Sequence, residues 1–240
     1  MLAYVKSELL KQRHSFQLVV LWLAPFLTIL LALVLMGGNY LQDGAYNWWY
    51  MLLLPGCFTM FSTFIVTRER RKNRHGLFGI TMQKSKLWLA QIFVCTLFLL
   101  ITCMFFFVFI TIGGMLFGQS IAVFDSFLAS VVLFCSFAWQ LPLWMWLAQR
   151  MGALLVIVLS LFCNFVFPVI FTEGSLWWIP FSTPARLMCA CIRVLPNGLQ
   201  VEAASGLEDR GVIFPGMMIS LVLFVLLTKL TASWFDKYEV

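Results

Sequence analysis

The side chains that could do covalent or metal chemistry are few, and their spacing does not suit it. Cys57, Cys95, Cys103, Cys135, Cys163, Cys189 and Cys191 form no CxxC pair and have no histidine at ligand spacing. Most lie inside apolar stretches and read as small core hydrophobes. Cys189 and Cys191, two apart on a helix, point in different directions, which argues against a bridge between them. His14 and His75 both fall in basic segments. There is no HExxH, no GxSxG and no GxxxxGK[ST], so the chain offers no zinc, acyl-transfer or phosphate-cradling motif and is expected to hold no cofactor. A catalyst or ion-coupled carrier working in lipid would need ionisable groups at depth, where charge is costly and kept for function. The long apolar runs carry none at their centres. Any work done on a solute must draw its energy from elsewhere.

The elements that position these residues follow from composition. Apolar residues make up 62% of the 240 positions and charged residues 11%, against about 25% charged in an ordinary soluble domain. Lipid is therefore the solvent. Apolar runs over residues 16–37, 48–67, 87–112, 125–148, 152–172 and 212–231 are each long enough to cross a hydrocarbon layer of about 30 Å. The first follows a charged stretch, but no small-residue cleavage site succeeds it, so it reads as a retained span. The expected fold is all-α, polytopic, with six transmembrane helices in one domain over 1–240 and both termini on one side.

Which side follows from Lys and Arg, which cytoplasmic connectors retain. Thirteen basic residues fall on the side of the termini: Lys6, Lys11 and Arg13, seven between Arg68 and Lys86, then Arg150, Lys229 and Lys237. Arg186, Arg193 and Arg210 fall on the other. With the acids included, the balance is about +9 inside and −3 outside on the formal charges. Both ends are expected in the cytoplasm of a bacterial cell, and no nucleic-acid partner is implied. Trp48, Trp49, Trp177 and Trp178 are expected at outer headgroups, and Trp88, Trp144, Trp146 and Trp234 at inner ones.

Three connecting segments carry more than a link requires. Residues 1–14 read as an interfacial helix, with Leu2, Val5, Leu9 and Gln12 on one stripe and Lys6, Glu8, Lys11 and Arg13 on the polar face toward anionic headgroups, or as a plain basic anchor. Residues 68–86 set Arg68, Glu69, Arg70, Arg71, Lys72 and Arg74 beside an apolar knob, Leu77, Phe78, Ile80 and Met82. A knob in a charged loop calls for a covering partner, or dips into headgroups. Residues 173–211 are too long for a mere connection. Ser182-Thr183-Pro184 starts a helix of about a dozen residues that Pro196-Asn197-Gly198 stops, too short to span and expected to be re-entrant or interfacial. On it Arg186 and Arg193 share a face opposite Leu187, Ala190, Cys191 and Val194 and either build the outer mouth or snorkel to headgroups. Pro25, Pro55, Pro142 and Pro168 interrupt four spans and are candidate hinges. Gln91, Gln140 and Asn164 are candidates for polar glue between spans.

Read in order, these residues resemble the ABC-2 type permeases, and among them the lantibiotic-immunity permease subunits. The resemblance runs over nearly the whole chain. It rests on Tyr4 to Lys11, on Leu23-Ala24-Pro25-Phe26-Leu27-Thr28-Ile29-Leu30, and on Tyr46 to Gly56. Lys86-Leu87-Trp88-Leu89-Ala90 and the stretch from Arg186-Leu187-Met188 to Leu195-Pro196-Asn197-Gly198 complete it. It implies an exporter of a cationic antimicrobial peptide in the bacterial plasma membrane, giving immunity. ATP and Mg would be bound by separate cytoplasmic ABC ATPase subunits, and a second related six-span permease would complete the unit. The family's interfacial helix then matches Met1 to His14, its ATPase-coupling loop Arg68 to Lys86, and its re-entrant segment Phe181 to Leu195. The competing readings are an ABC-2 permease for another drug, peptide or lipid-linked cargo, and a membrane protein that senses or sequesters the peptide without transport.

Overall fold

The computed structural model describes residues 1–13, 15–71, 83–202 and 205–237, the side chains of 69–71 excepted. Its backbone is helical along each apolar run, because lipid cannot satisfy a peptide group and a helix satisfies its own. In chain order the helices are α1 (Leu2–Gln12), α2 (Phe16–Met36), α3 (Leu41–Trp48), α4 (Leu54–Arg71), α5 (Lys84–Phe117), α6 (Val123–Ala138), α7 (Gln140–Met151), α8 (Ala153–Phe171), α9 (Thr183–Ile192) and α10 (Ile213–Asp236). Among the described residues the one extended pairing is an isolated bridge between Val194 and Gln200.

Six stretches are long and apolar enough to cross a membrane: Phe16–Met36, Gly38–Arg68, Lys84–Phe117, Val123–Met151, Ala153–Phe171 and Arg210–Asp236. The chain is an all-α, multi-pass membrane protein. Six passes bring residues 1, 71, 84, 151 and 237 to one end of the bundle, here the terminal end, and leave α9 and its flanking segments at the other, the distal end.

Two spans are assembled from pieces. The second joins α3 to α4 through a π turn at Trp49–Leu53, directly before Pro55. Pro55 has no N–H to give the carbonyl of Met51, and a wider turn accommodates the missing bond. The fourth breaks at Trp139 between α6 and α7, three residues before Pro142, for the same reason. α5 runs longer than a span needs, about 51 Å at 1.5 Å per residue. It stays helical through Gly113 and Gly114, where a break was expected. A Cβ at Gly114 would overlap the Gln42 amide, so glycine there lets α3 seat against α5.

Burial sorts the spans. Two-thirds (67%) of the second and fourth lie inside the bundle, against 28%, 22% and 11% of the first, fifth and last. The core is aromatic: Trp49 stacks on Phe106 with centroids 4.6 Å apart, Tyr46 meets Phe106 edge-on, and Phe58–Phe137 and Phe61–Phe98 fill the layers beyond. Trp49, Trp88 and Trp144 are fully buried, so they pack helices together instead of lying at headgroups. Trp88 stacks on Phe235 and donates to Thr231 Oγ1 at 3.0 Å, and Arg150 lies over the Trp146 ring. Trp178, by contrast, is exposed.

Candidate functional site

At the terminal end α1 packs on α5. Glu8 and Gln12 are buried and Val5 is partly buried against the core, while Leu2 is 86% exposed and Leu9 also faces out. The expected stripe of Leu2, Val5, Leu9 and Gln12 is therefore divided: Val5 and Gln12 meet the bundle, and Leu2 and Leu9 are left on the outer surface, where an interfacial helix meets lipid. When the surroundings are apolar, the leucines lose nothing by facing outward, and the polar side chains gain by finding partners in the bundle. Glu8 Oε1 accepts from Lys11 Nζ at 2.7 Å, and Arg68 Nη1 donates to the Lys11 carbonyl at 2.6 Å. Glu8 and Lys11 thus turn toward α1's own anchorage, whereas Lys6 and Arg13 stay exposed. Arg68 begins the basic connector, so α1 and that connector are tied to one another. The coupling candidates Leu77, Phe78, Ile80 and Met82 lie outside the described residues, as do His14 and His75 and the side chains of Glu69, Arg70 and Arg71.

At the distal end all ten residues of α9 are buried. It wedges against α6, α8 and α10, and Gly216 of α10 admits Leu187, whose Cδ2 would lie 2.8 Å from a Cβ there. Pro184 stands in its first turn as expected, but Ser182 does not cap it: its hydroxyl donates back to the carbonyls of Trp177 and Ile179. The helix stops at Arg193, before Pro196. Arg193 takes the left-handed conformation (φ 58°) and its N–H closes on the Cys189 carbonyl.

The two outer arginines do not share a headgroup-facing surface. Arg186 is buried and donates through Nη1 to the Leu207 carbonyl and through Nη2 to that of Gly206 at 3.1 Å. Burial lowers its pKa from the ordinary arginine value, and Asp209 opposes the shift. Arg193 is exposed and pairs with Glu208 at 3.2 Å. Both arginines therefore grip the same segment, Gly206 to Glu208, one from beneath and one from outside. Burial likewise pushes the thiols of Cys189 and Cys191 up to about 12, which leaves them protonated and inert.

Further ties at this end have no signature in the sequence. Asn47 Nδ2 donates to the carbonyls of Leu195 (3.2 Å) and Pro196 (2.7 Å), and Gln200 Nε2 donates to Asp43 Oδ2 at 3.0 Å. Gln42 Oε1 accepts from the backbone N–H groups of Ser120 and Ile121, both at 2.8 Å. Arg210 pairs with Asp125 at 2.8 Å. With the arginine bonds to residues 206–208, these fasten residues 193–202 and 205–210 across the distal end as a cap, and Gln42 holds residues 120–121 beside it.

All four candidate hinge prolines are buried. Pro25 leaves the Leu21 carbonyl without its helical N–H partner, and Thr102 of α5 donates its hydroxyl to that carbonyl at 2.6 Å. The interruption in α2 is therefore stitched to α5. Pro142 and Pro168 flank a buried amide pair, in which Gln140 and Asn164 exchange two bonds of 2.8 Å and Trp144 Nε1 donates to Gln140 Oε1. The polar glue expected there joins α7 to α8, and the Thr59–Ser160 hydroxyl pair extends it to α4. Gln91 is buried as well.

Among the described residues no three His, Cys, Asp or Glu side chains gather as metal ligands. The arrangement is mechanical: a terminal end whose short helix is tied to a basic connector, proline-interrupted spans, and a bonded distal cap. Comparison with curated proteins and with solved structures finds no match. The family model described as ABC-2 family transporter protein matches residues 4–174, well over half of the chain, and the protein belongs to that family as a membrane permease component that works with an ABC ATPase.

Proposed function

We propose that this permease is one of two related six-span subunits of an exporter that expels a lantibiotic, a cationic antimicrobial peptide, from the bacterial plasma membrane and so confers immunity. The reading rests on the family membership together with the lantibiotic-immunity pattern at the stretches named above. One observation carries it beyond family membership: the distal end holds Asp43, Asp125, Glu173, Glu202, Glu208 and Asp209 against Arg186, Arg193 and Arg210, so carboxylates remain in excess after the Asp125–Arg210 and Glu208–Arg193 pairs are made. A cationic peptide leaving that end meets complementary charge.

In this reading both termini and the basic connector face the cytoplasm, where the positive charge collects. ATP and Mg are bound by the ATPase subunits. Their closure pushes on the Leu77 to Met82 knob, and through Arg68 the push reaches α1 as well as α4. The interruptions at Pro55 and Pro142 let the second and fourth spans tilt, and the cap lifts to release peptide outward.

The test is survival. Cells lacking the subunit are expected to become sensitive to one or more lantibiotics, and the intact gene restores them. Unchanged survival across a lantibiotic panel, with sensitivity to other drugs instead, would assign the cargo elsewhere within the same family. Substrate-stimulated, vanadate-sensitive ATP hydrolysis by the reconstituted complex separates export from mere sequestration of the peptide.

A further inference from the structure

At the terminal end a cavity of about 380 Å³ opens between the first, second and fifth spans, lined by Gln12, Ser15, Phe16, Gln17, Phe64, Thr67, Arg68 and Ala153. Three sources of positive potential converge on it. α2 begins at Phe16 and α8 begins at Ala153, and neither has a side-chain cap or an acidic residue in its first turn. Each therefore opens on backbone N–H groups that no side chain of its own caps, while the carbonyl ends of α1 at Gln12 and α7 at Met151 close by offset part of the positive potential. The third is the Arg68 guanidinium.

Two polar groups there lack protein partners. The hydroxyl of Ser15 bonds to nothing in the protein. Gln17, 3% exposed, donates its amide N–H to the Phe61 carbonyl at 3.3 Å, which leaves Oε1, an acceptor, without a donor. An unpaired buried amide oxygen costs stability unless a ligand or water supplies the N–H or O–H it lacks. Of the remaining lining residues Gln12 and Thr67 are polar, and Phe16, Phe64 and Ala153 are apolar and stand where the spans enter lipid.

We propose that this cavity is a binding site for a phospholipid of the leaflet at the terminal end. Its phosphodiester lies between the N-termini of α2 and α8 beside Arg68 and Ser15. A donor on its headgroup, the hydroxyl of phosphoglycerol or the ammonium of phosphoethanolamine, satisfies Gln17 Oε1. Its acyl chains leave along Phe16 and Phe64. Choline, which has neither O–H nor N–H, lacks the donor that Gln17 requires. Because Arg68 also holds the Lys11 carbonyl, the bound lipid becomes part of the joint between α1 and the second span. This site stands independently of the identity of the cargo.

The test uses the full-length chain purified in detergent and stripped of lipid, with native mass spectrometry after addition of phosphatidylglycerol, phosphatidylethanolamine or phosphatidylcholine. Glycerol 3-phosphate supplies the same phosphate from water. One molecule of either donor-bearing lipid is expected to be retained per chain, with phosphatidylcholine retained about tenfold less for want of that hydrogen bond and glycerol 3-phosphate at least about tenfold less for want of the acyl chains. Two variants probe the site without removing a protein contact. Ala153→Asp adds a carboxylate where a helix favours one, so the chain melts no lower than wild type yet loses lipid about tenfold. Ser15→Ala deletes a hydroxyl with no protein partner and lowers retention at unchanged melting. Equal retention by both variants, equal retention of phosphatidylcholine, or glycerol 3-phosphate binding as tightly as lipid would each overturn the proposal.

Discussion

Among the described residues two short α-helices, α1 and α9, belong to none of the six spans, and they meet their surroundings in opposite ways. α1, eleven residues at the terminal end, turns Glu8 and Gln12 inward and presents Leu2, Leu9 and Leu10 to the outside. α9, ten residues at the distal end, is buried on every side, and its arginine is satisfied by backbone carbonyls. In water an amphipathic helix buries its apolar stripe because burial alone removes that stripe from solvent. At the edge of a lipid bilayer apolar surface is removed from water whichever way it faces, so polar contacts and shape decide the orientation. α1 is held by a few polar bonds and a surface it can slide along; α9 is locked.

The sharpest way to break that contrast is at Arg186. Arg186→Ala removes two charge-assisted bonds and leaves the carbonyls of Gly206 and Leu207 without those donors, a loss of about 2–3 kcal/mol, the upper range for hydrogen bonds to a charged group. The expected outcome is a markedly lower melting temperature in detergent and a cap that opens without substrate. Cys189 reports it. Its thiol is buried and pushed up to about 12, so with Cys135 and Cys163, the two partly exposed cysteines, replaced by serine a maleimide at neutral pH leaves Cys189 of the parent chain untouched and labels it in the variant. Arg186→Lys keeps the charge but not the fork, and restores part of the protection. A variant that melts with the parent and resists labelling would show that the packing of α9, not its arginine, holds the cap.

Much of this architecture is legible in the residues, and the illegible parts share one cause. Six helices follow from hydropathy, because each of the six long apolar runs is long enough to cross lipid as a helix, the arrangement in which a single segment satisfies its own backbone. Pro184 marks the start of α9, and Gln140 and Asn164 stand out as amides in otherwise apolar spans. Helical spacing, however, reports which residues share a face, not what that face meets. It therefore set Leu2, Val5, Leu9 and Gln12 on one stripe, which the bundle divides, and Arg186 and Arg193 on one face, although one is buried and the other exposed. The pairs that build the distal cap, Asn47 with Pro196 and Asp43 with Gln200, are 149 and 157 residues apart and belong to tertiary packing. So does the repair of Pro25 by Thr102: proline announces the lost bond, and nothing local announces the hydroxyl that replaces it.

A smaller effect is expected at Glu8. Its carboxylate is buried while Lys11 remains a third exposed, so the pair is worth less than a fully buried one, and Glu8→Ala costs about 1–2 kcal/mol. Glu8→Gln keeps the shape and an acceptor and loses about half of that. The loss is local: amide exchange over residues 2–12 quickens, while Cys189 stays protected at the far end. Loss of protection at both ends would mean that the two short helices are parts of one cooperative unit, and the contrast between them would fall.

The smallest effect on stability, and the most telling about orientation, is expected at Leu2 and Leu9. If α1 presents these side chains to lipid, Leu2→Gln with Leu9→Gln removes little protein contact, Leu2 being 86% exposed and Leu9 37%, and shifts the melting temperature in detergent by less than about 1 kcal/mol would. The same pair placed in a bilayer costs about 1–2 kcal/mol per leucine in lost apolar burial. Exchange over residues 2–12 then quickens in nanodiscs and stays unchanged in detergent at low lipid. The dependence on the medium is the point. A protein–protein contact would be weakened equally in both, and equal quickening would show that the leucines meet protein instead of lipid.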